Sequence, residues 1–263
     1  MKWSQDAETA LGKIPFFVRK KVRKKAEEFT ASKGKTCVDI SCLDELKKKF
    51  LSRGGMEKQI KGYEVVSCFG DSGCPNSAVS CAGLAEDIRQ VFKNEDILSF
   101  LKKHVNGDLK FHHEFRVALC DCPNACSRPQ IVDIGIIGAV RPHVSGKECT
   151  MCGACAASCA EHAVTLDADN EKPVIDQDKC LMCAKCIRVC PSGTIEADRS
   201  GFRILLGGRL GRHPRLGMEL EGIFSHEQVL KIVKKCLKFY KANSREGQRF
   251  SHVLSSTDKI YPL

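Results

Sequence analysis

The sequence has few aromatic residues and no long apolar run. Aromatic side chains make up 6% of its 263 residues, with one Trp and three Tyr. No apolar stretch approaches the roughly 20 residues that a membrane-spanning helix needs. The opening run Met1-Lys2-Trp3-Ser4-Gln5-Asp6 lacks the apolar region of a secretory signal peptide. We therefore expect a soluble chain with no membrane span, located in the reducing cytoplasm.

The chain is also short of negative charge. Lys and Arg number 42 against 32 Asp and Glu, a formal net charge of +10 that raises the question of a nucleic-acid partner. Positive residues concentrate in a predicted helix between Arg19 and Lys25, but no aromatic stacking platform or recognition motif accompanies them. A nucleic-acid partner is therefore disfavoured. The helix is either a solvated face or a docking surface for an acidic redox partner or a cofactor carboxylate.

Cysteine is the residue present in excess. The chain holds 17 cysteines, many of them in Cys-x2-Cys units, which favours metal ligation over the disulfide framework of a secreted protein. A hydrophobic content of 43% is enough to bury a core and excludes disordered and fibrous classes.

Eight of these cysteines form an internal repeat between residues 145 and 200. The run Cys149-x2-Cys152-x2-Cys155-x3-Cys159 recurs as Cys180-x2-Cys183-x2-Cys186-x3-Cys190. This is the spacing of bacterial two-cluster ferredoxins, in which the fourth cysteine of each run crosses to the other cluster. We predict two [4Fe–4S] clusters, held by a first group (Cys149, Cys152, Cys155 and Cys190) and a second group (Cys180, Cys183, Cys186 and Cys159). Zinc is a weaker alternative, because structural zinc sites use ligands in pairs.

The rest of the chain divides around this insert. We predict a small helical domain (1–55), a host domain (56–142 and 201–245), the two-cluster insert (143–200) and a frayed polar tail (246–263). In the first domain, Ser4 is predicted to cap one helix, Pro15 to begin the next, and a Ser41-x-x-Asp44 capping box to begin the third. The predicted fold class is α+β, a mixed sheet flanked by helices. Strands are expected at 62–68, 116–120, 131–140 and 202–206, before a last helix capped by Ser225-x-x-Gln228.

A further group of cysteines follows two of the predicted strands. Cys68-x5-Cys74 is followed, after 47 intervening residues, by Cys122-Pro123-Asn124-Ala125-Cys126. Together with Ile131-Val132-Asp133-Ile134-Gly135, these runs resemble the sirohaem and [4Fe–4S] region of the sulfite and nitrite reductases. The glycine-rich segment 207–217 resembles the one that closes this domain in dissimilatory-type and anaerobic sulfite reductases, which carry a ferredoxin insert at the same place. The N-terminal stretch, through Trp3 and Ile14-Pro15-Phe16-Phe17-Val18-Arg19, resembles a helical domain of a dark-operative protochlorophyllide reductase subunit.

The resemblance implies a coupled centre. A third group, Cys68, Cys74, Cys122 and Cys126, would hold a third cluster, and Cys126 would also bridge to the iron of a sirohaem. Arg209, Arg212 and Arg215 are candidates to bind the carboxylates of that macrocycle; the alternative is a set of surface turns with solvated arginines. Relatives use a Lys-Phe-Lys run to bind the substrate anion. The matching run here is Glu114-Phe115-Arg116, which leaves Arg116 as the predicted catalytic cation.

Two functions follow from these patterns. The first is a sirohaem-dependent reductase that takes electrons from a redox donor protein through the insert and reduces sulfite or nitrite. The second is an iron–sulfur electron-transfer subunit with no substrate-reducing site. The intact third group favours the first, whereas the acidic Glu114 and the single copy of a repeat that full-length relatives carry twice favour the second. Because two repeats build the anion pocket in those relatives, we expect a homo-oligomer or a hetero-oligomer with a subunit of similar fold.

Overall fold

The chain forms two compact units, Met1–Ile60 and Lys61–Leu263. This computed structural model describes residues 1–14, 16–52 and 60–262. Pro15, the predicted start of the second helix, and the predicted domain boundary after residue 55 both lie outside the described residues.

The N-terminal unit is helical. It consists of β1 (Lys2–Trp3), α1 (Gln5–Gly12), α2 (Phe16–Ser32), β2 (Cys37–Val38) and α3 (Ile40–Ser52), with β1 and β2 parallel. The Ser4 hydroxyl accepts a hydrogen bond from the Ala7 N–H, which confirms the predicted cap of α1. The Ser41 capping box is wrong: the Asp39 carboxylate accepts the Cys42 N–H at 2.8 Å, so α3 begins two residues earlier, and Ser41 instead donates to Asp39.

The larger unit is built on a five-stranded sheet of order β3-β4-β5-β8-β9. Its first three strands are parallel and its last three are antiparallel, which confirms the predicted α+β class with a mixed sheet. In chain order the elements are β3 (Tyr63–Ser67), α4 (Ala82–Asn94), α5 (Ile97–His104), β4 (Phe115–Cys120), β5 (Ile134–Val144), α6 (Ala154–Ser158), β6 (Val164–Asp167), β7 (Lys172–Ile175), α7 (Lys185–Val189), β8 (Ile195–Leu206), β9 (Met218–Glu219), α8 (His226–Asn243) and α9 (Phe250–Val253).

Two amphipathic helices supply much of the core of this unit. The apolar side chains of α4 and α8 recur every three to four residues, so each helix has one apolar stripe to bury. The predicted Ser225–Gln228 capping box starts α8. Within the described residues, no helix is both long and apolar enough to span a membrane. The buried residues are Leu84, Ala85, Ile88, Val91 and Phe92 in α4, and Val229, Ile232, Val233, Cys236, Leu237 and Tyr240 in α8.

The cysteine-rich insert connects the ends of a long pair of antiparallel strands. β5 and β8 are antiparallel from Ile134 opposite Leu206 to Val144 opposite Ile195, and the insert occupies the residues between these two ends. The strand that follows the insert was predicted to start at 202 but begins at Ile195. The reason is that residues 196–200 are mostly polar and exposed and therefore show no apolar alternation.

The C-terminal segment is ordered, so the prediction of a frayed tail is wrong. Phe250, Leu254 and Ile260 are buried, and the Phe250 ring centroid lies 5.1 Å from that of Phe115 in β4. The polar residues on both sides hide this packing in the sequence, because Phe250, Val253 and Leu254 span only one helical turn. The segment is thereby fixed against the sheet.

Candidate metal centres and an adjoining cleft

The two cysteine runs of the insert fold into matching loops. Met151 and Met182 both adopt a left-handed backbone, with φ of 50° and 60°. Their N–H groups donate to the Sγ atoms of Cys149 and Cys180 at 3.4 Å in both loops. Hydrogen bonds of this kind stabilise the negative charge of a thiolate and are a means of tuning an iron–sulfur cluster.

The fourth cysteine of each run has a similar partner. The Ala163 N–H donates to the Cys159 Sγ at 3.3 Å, and the Ile195 N–H donates to the Cys190 Sγ at 3.4 Å. Both cysteines pack against the small buried core of the insert, which includes Cys155 and Cys186. The fourth cysteine of each run therefore packs against a core that the two runs share.

The thiols gather in the exchanged pattern rather than run by run. Burial raises the pKa of the Cys155 thiol, and two neighbouring thiols raise it further, Cys190 from the other run and Cys149 from its own. Burial likewise raises the pKa of Cys186 to about 11, with a contribution from the thiols of Cys180, Cys183 and Cys159. Cys190 thus lies with the first group and Cys159 with the second, although ligation itself stays a prediction.

The second group surrounds a small internal space. A cavity of about 80 Å³ is lined by its four cysteines and by Pro123 and Asn124, which belong to the loop of the third group. In the described part of the chain, no group of three or more His, Cys, Asp or Glu side chains is close enough to hold a single metal ion. The donor set, thiols alone around a shared space, fits an iron–sulfur cluster.

The third group assembles because β3 and β4 are parallel. Their carboxyl ends share one edge of the sheet, so Cys68, directly after β3, meets Cys122, just beyond β4. The Cys68 N–H donates to the Leu119 carbonyl at 3.0 Å, and the Asp121 N–H donates to the Cys68 Sγ at 3.3 Å. Burial raises the pKa of Cys122, and the other three thiols of the group raise it further: Cys68, Cys74 and Cys126.

A buried carboxylate, missed by the sequence analysis, holds these loops together. Asp121 is 2% exposed and accepts hydrogen bonds from the Cys81 N–H and the Ser77 hydroxyl, both at 3.1 Å. A Cβ atom on Gly70 would lie 1.9 Å from its Oδ2, so only glycine fits there. Asp121 therefore ties the segment that carries Cys74 to the end of β4. In the sequence it is one polar residue between two cysteines.

Cys120 supports the same loop from the other side. Its Sγ lies 2.9 Å from the Ser127 hydroxyl and accepts the Ser127 N–H at 3.2 Å. Ser127 also donates its hydroxyl to the Leu119 carbonyl at 2.8 Å. These contacts fix the residue that directly follows Cys126.

A cleft of about 430 Å³ follows one face of β3 and β4, next to the third group. Alternate residues of a strand share a face, which places Glu64 and Val66 of β3 beside Arg116 and Ala118 of β4. Arg116 therefore lines the same space as Ser127, which directly follows Cys126, and its role as the catalytic cation stays a prediction. We call this space the β3–β4 cleft; its other lining residues include Ser127, Arg128, Leu210, Gly211 and Arg249.

In the sequence, Glu114 lies close to the predicted substrate cation, but the acidic residue that lines the cleft is Glu64. Glu114 is buried, and its carboxylate accepts the Lys61 N–H at 2.9 Å. Glu64 instead lies opposite Arg116 in the strand register, with 3.4 Å between its Oε2 and the Arg116 Nε. Because the Glu114 carboxylate is paired with the backbone outside the cleft lining, it is not an argument for the electron-transfer function.

Two of the three arginines predicted to bind a cofactor are used inside the protein. Arg215 donates to the carbonyls of Gly207, Ser251 and Leu254 at 2.8–3.1 Å. Arg209 donates to the His213 and Ser251 carbonyls at 2.8 and 2.7 Å. Both guanidinium groups thus hold the glycine-rich loop to the C-terminal segment, and their role as cofactor ligands stays a prediction. Arg212 is exposed and keeps that role as a prediction.

Comparison with known proteins finds relatives of the larger unit. The chain is 31% identical over 184 residues to the coenzyme F420-dependent sulfite reductase of Methanocaldococcus jannaschii, covering 70% of this chain and 27% of that protein. It is 28% identical over 187 residues to one subunit of the anaerobic sulfite reductase of Salmonella typhimurium, covering 69% of this chain and 50% of that subunit. The chain thus spans a quarter to a half of the length of these relatives.

One solved structure supports the fold. The crystal structure of dissimilatory sulfite reductase I aligns with a TM-score of 0.51 at 16% identity, covering 74% of this chain and 50% of that one. At this identity the likeness concerns the fold alone.

Two family descriptions match successive parts of the chain. Residues 3–47 match the family described as the proto-chlorophyllide reductase 57 kD subunit. Residues 62–258 match the family described as the nitrite and sulphite reductase 4Fe-4S domain. This second match includes all twelve cysteines of the three groups, the β3–β4 cleft and most of the ordered C-terminal segment. The chain therefore belongs to the nitrite and sulphite reductase 4Fe-4S domain family.

Proposed function

We propose that this chain reduces sulfite or nitrite at a sirohaem coupled to a [4Fe–4S] cluster, in the cytoplasm. One observation carries the proposal: the third cysteine group lies beside a cleft lined by Arg116, Arg128 and Arg249. Positive side chains at such a cleft favour a small inorganic anion. The Cys-x2-Cys spacing of many of the 17 cysteines favours metal ligation over disulfides, which supports a reducing compartment.

Three [4Fe–4S] clusters, one per cysteine group, would supply the electrons. The parallel strands β3, β4 and β5 end at one edge of the sheet, and this edge carries both the third group and the insert. The insert is held there by a hydrogen bond of 2.8 Å from the Val140 N–H to the Met182 carbonyl, and by Arg188, which donates to the Ser77 carbonyl at 3.2 Å. Pro123 and Asn124 then form the short connection between the second and third groups.

The residues of the β3–β4 cleft bind and orient the anion in this scheme. A sirohaem held beside Cys126 would supply an iron at which the anion is reduced. Arg116 neutralises the negative charge of the substrate through its guanidinium, and Glu64, 3.4 Å away, holds that guanidinium over the face of β4. Because the Glu64 side chain is half exposed, its carboxyl group can relay protons from solvent to the reacting oxygens.

A second protein chain would cover the exposed side of this region. Phe69, directly after Cys68, is 80% exposed, and Leu210 at the cleft is 68% exposed. Large apolar side chains in such positions are typical of a protein interface. We propose that a second copy, or a subunit of similar fold, closes the cleft, and that a separate redox protein donates electrons to the insert.

The visible spectrum of anaerobically purified protein tests the proposal. Bound sirohaem gives chlorin bands and about 13 iron atoms per chain, whereas three clusters alone give a broad iron–sulfur shoulder and about 12. Turnover driven by reduced methyl viologen, compared for sulfite and nitrite, then identifies the substrate. Protein that binds three clusters but shows neither chlorin bands nor turnover would be an electron-transfer subunit instead.

A further inference from the structure

The C-terminal segment contributes a positive side chain to the β3–β4 cleft. Arg249 lies directly before α9, and its side chain is 21% exposed and lines the cleft together with Arg116 and Arg128. The segment is fixed in place because Phe250 packs against Phe115, so Arg249 projects from an ordered part of the chain.

A buried carboxylate sets the position of Arg249. Asp133 is 1% exposed, and its Oδ2 accepts hydrogen bonds from the Arg249 Nη2 and from the Arg116 N–H, both at 2.9 Å. One oxygen atom therefore joins the C-terminal segment to the strand that carries Arg116. Because a buried carboxylate needs a cation nearby, this contact also has a structural value.

The geometry of the pair leaves part of the Arg249 guanidinium unused. A guanidinium and a carboxylate commonly pair through two parallel hydrogen bonds, yet Arg249 and Asp133 share one. The Arg249 Nε and the Asp133 Oδ1 are both buried and have no hydrogen-bond partner among the described residues. A buried donor without a partner costs free energy, which a bound acceptor would recover.

We propose that Arg249 binds an oxyanion in the β3–β4 cleft and that Asp133 positions it. The inference rests on the proposed function and adds to it a residue that the sequence analysis had assigned to a frayed tail. Three arginines face the cleft against the single carboxylate of Glu64, so the lining residues have a net positive charge. The oxyanion is either the substrate or a carboxylate of the macrocycle, since both present two oxygen atoms to a guanidinium.

The test compares Arg249→Gln with Arg245→Gln, which removes an exposed guanidinium that donates to the Ala242 and Ser244 carbonyls outside the cleft. If the oxyanion is the substrate, Arg249→Gln raises the KM for sulfite or nitrite about tenfold or more and keeps the chlorin bands. If it is a cofactor carboxylate, the ratio of chlorin to protein absorbance falls instead. In both cases Arg249→Lys gives a smaller change, and Arg245→Gln gives none.

Thermal unfolding separates this inference from the proposed function. Added sulfite or nitrite should raise the melting temperature of the wild-type chain more than that of Arg249→Gln, and Asp133→Asn should weaken the same response. An equal anion response in wild type and Arg249→Gln, with unchanged KM and chlorin content, overturns the role of Arg249. Wild-type protein without chlorin bands or turnover overturns the proposed function. Even then, a rise in melting temperature with added anion that is present in the wild type and lost in Arg249→Gln would support the oxyanion site.

Discussion

The insert and the β3–β4 cleft are built in opposite ways. Each cysteine loop of the insert forms within about a dozen residues, and its backbone N–H groups donate to its own sulfur atoms. The cleft draws Glu64, Arg116, Arg128 and Arg249 from segments spread over most of the larger unit, and it is held by buried side chains such as Asp133.

This difference predicts how each region responds to substitutions and to loss of the clusters. The buried core of the insert consists of Cys155, Val164, Cys186 and Ile195, two of which are predicted ligands. We therefore expect the insert to depend on its clusters for stability, as small metal-binding modules do. The cleft should depend instead on packing and hydrogen bonds within the host sheet, so substitutions should affect the two regions separately.

The largest effect is expected from Cys126→Ser. If Cys126 is the proposed bridging thiolate, its loss should remove the third cluster and sirohaem, about 5 of the 13 iron atoms expected, and abolish turnover. The electron paramagnetic resonance signals of the two insert clusters should persist. Iron content, visible absorption and these signals are measured on one anaerobic sample.

The complementary variant and a control sharpen this result. Cys152→Ser should remove the first cluster, slow electron delivery and keep the chlorin bands. Cys37→Ser, at an exposed cysteine of the N-terminal unit, should change none of these readouts. Chlorin bands that survive Cys126→Ser would contradict the bridge.

Phe250→Ala should destabilise the cleft side of the molecule. Its ring is buried against Phe115, Phe239 and Tyr240, and truncation of such a ring costs about 3–5 kcal/mol. Urea unfolding followed by circular dichroism gives the free energy of unfolding. The insert signals should be unchanged in the folded protein. A loss below about 1 kcal/mol would mean that the C-terminal segment is not packed as described.

Asp121→Ala should have a smaller effect that is confined to the third group. The substitution leaves the buried Cys81 N–H and Ser77 hydroxyl without their acceptor, at a cost of about 1–3 kcal/mol. We expect the third cluster to be lost more readily on exposure to a chelator, while the insert clusters keep wild-type rates. Asp169→Ala, at an exposed turn of the insert, is the control. Equal cluster loss in both variants would count against the role of Asp121.

Ser225→Ala should have the smallest effect. The Ser225 side chain caps α8 through the Gln228 N–H, and loss of such a cap costs about 0.5–2 kcal/mol. Turnover and both sets of cluster signals should stay at wild-type levels, because α8 contains none of the twelve predicted ligand cysteines. Thermal unfolding measures the change. A loss of cluster signals would show that the two regions are coupled more tightly than proposed.

The sequence allowed good prediction where structure is local. The spacing of the two runs predicted the exchange of Cys159 and Cys190, and the structure brings the thiols together in that pattern. The α8 cap and the strands that deliver Cys68 and Cys122 were also predicted, because caps and strand patterns depend on neighbouring residues.

The rest depends on contacts between distant residues. Glu114 pairs with the Lys61 backbone, 53 positions away, and Arg249 pairs with Asp133, 116 positions away. No local pattern marks such partners. The same limit explains the arginine-rich loop, in which Arg209 and Arg215 donate to carbonyls of a C-terminal segment that was predicted to be frayed.

Anomalous diffraction at the iron edge, from crystals grown without oxygen, tests the central claim most directly. The account predicts three iron cubes, one at each cysteine group, and a single further iron that shares the Cys126 Sγ with the third cube and faces the β3–β4 cleft. Density for the cubes alone, with no isolated iron near Cys126, would contradict it.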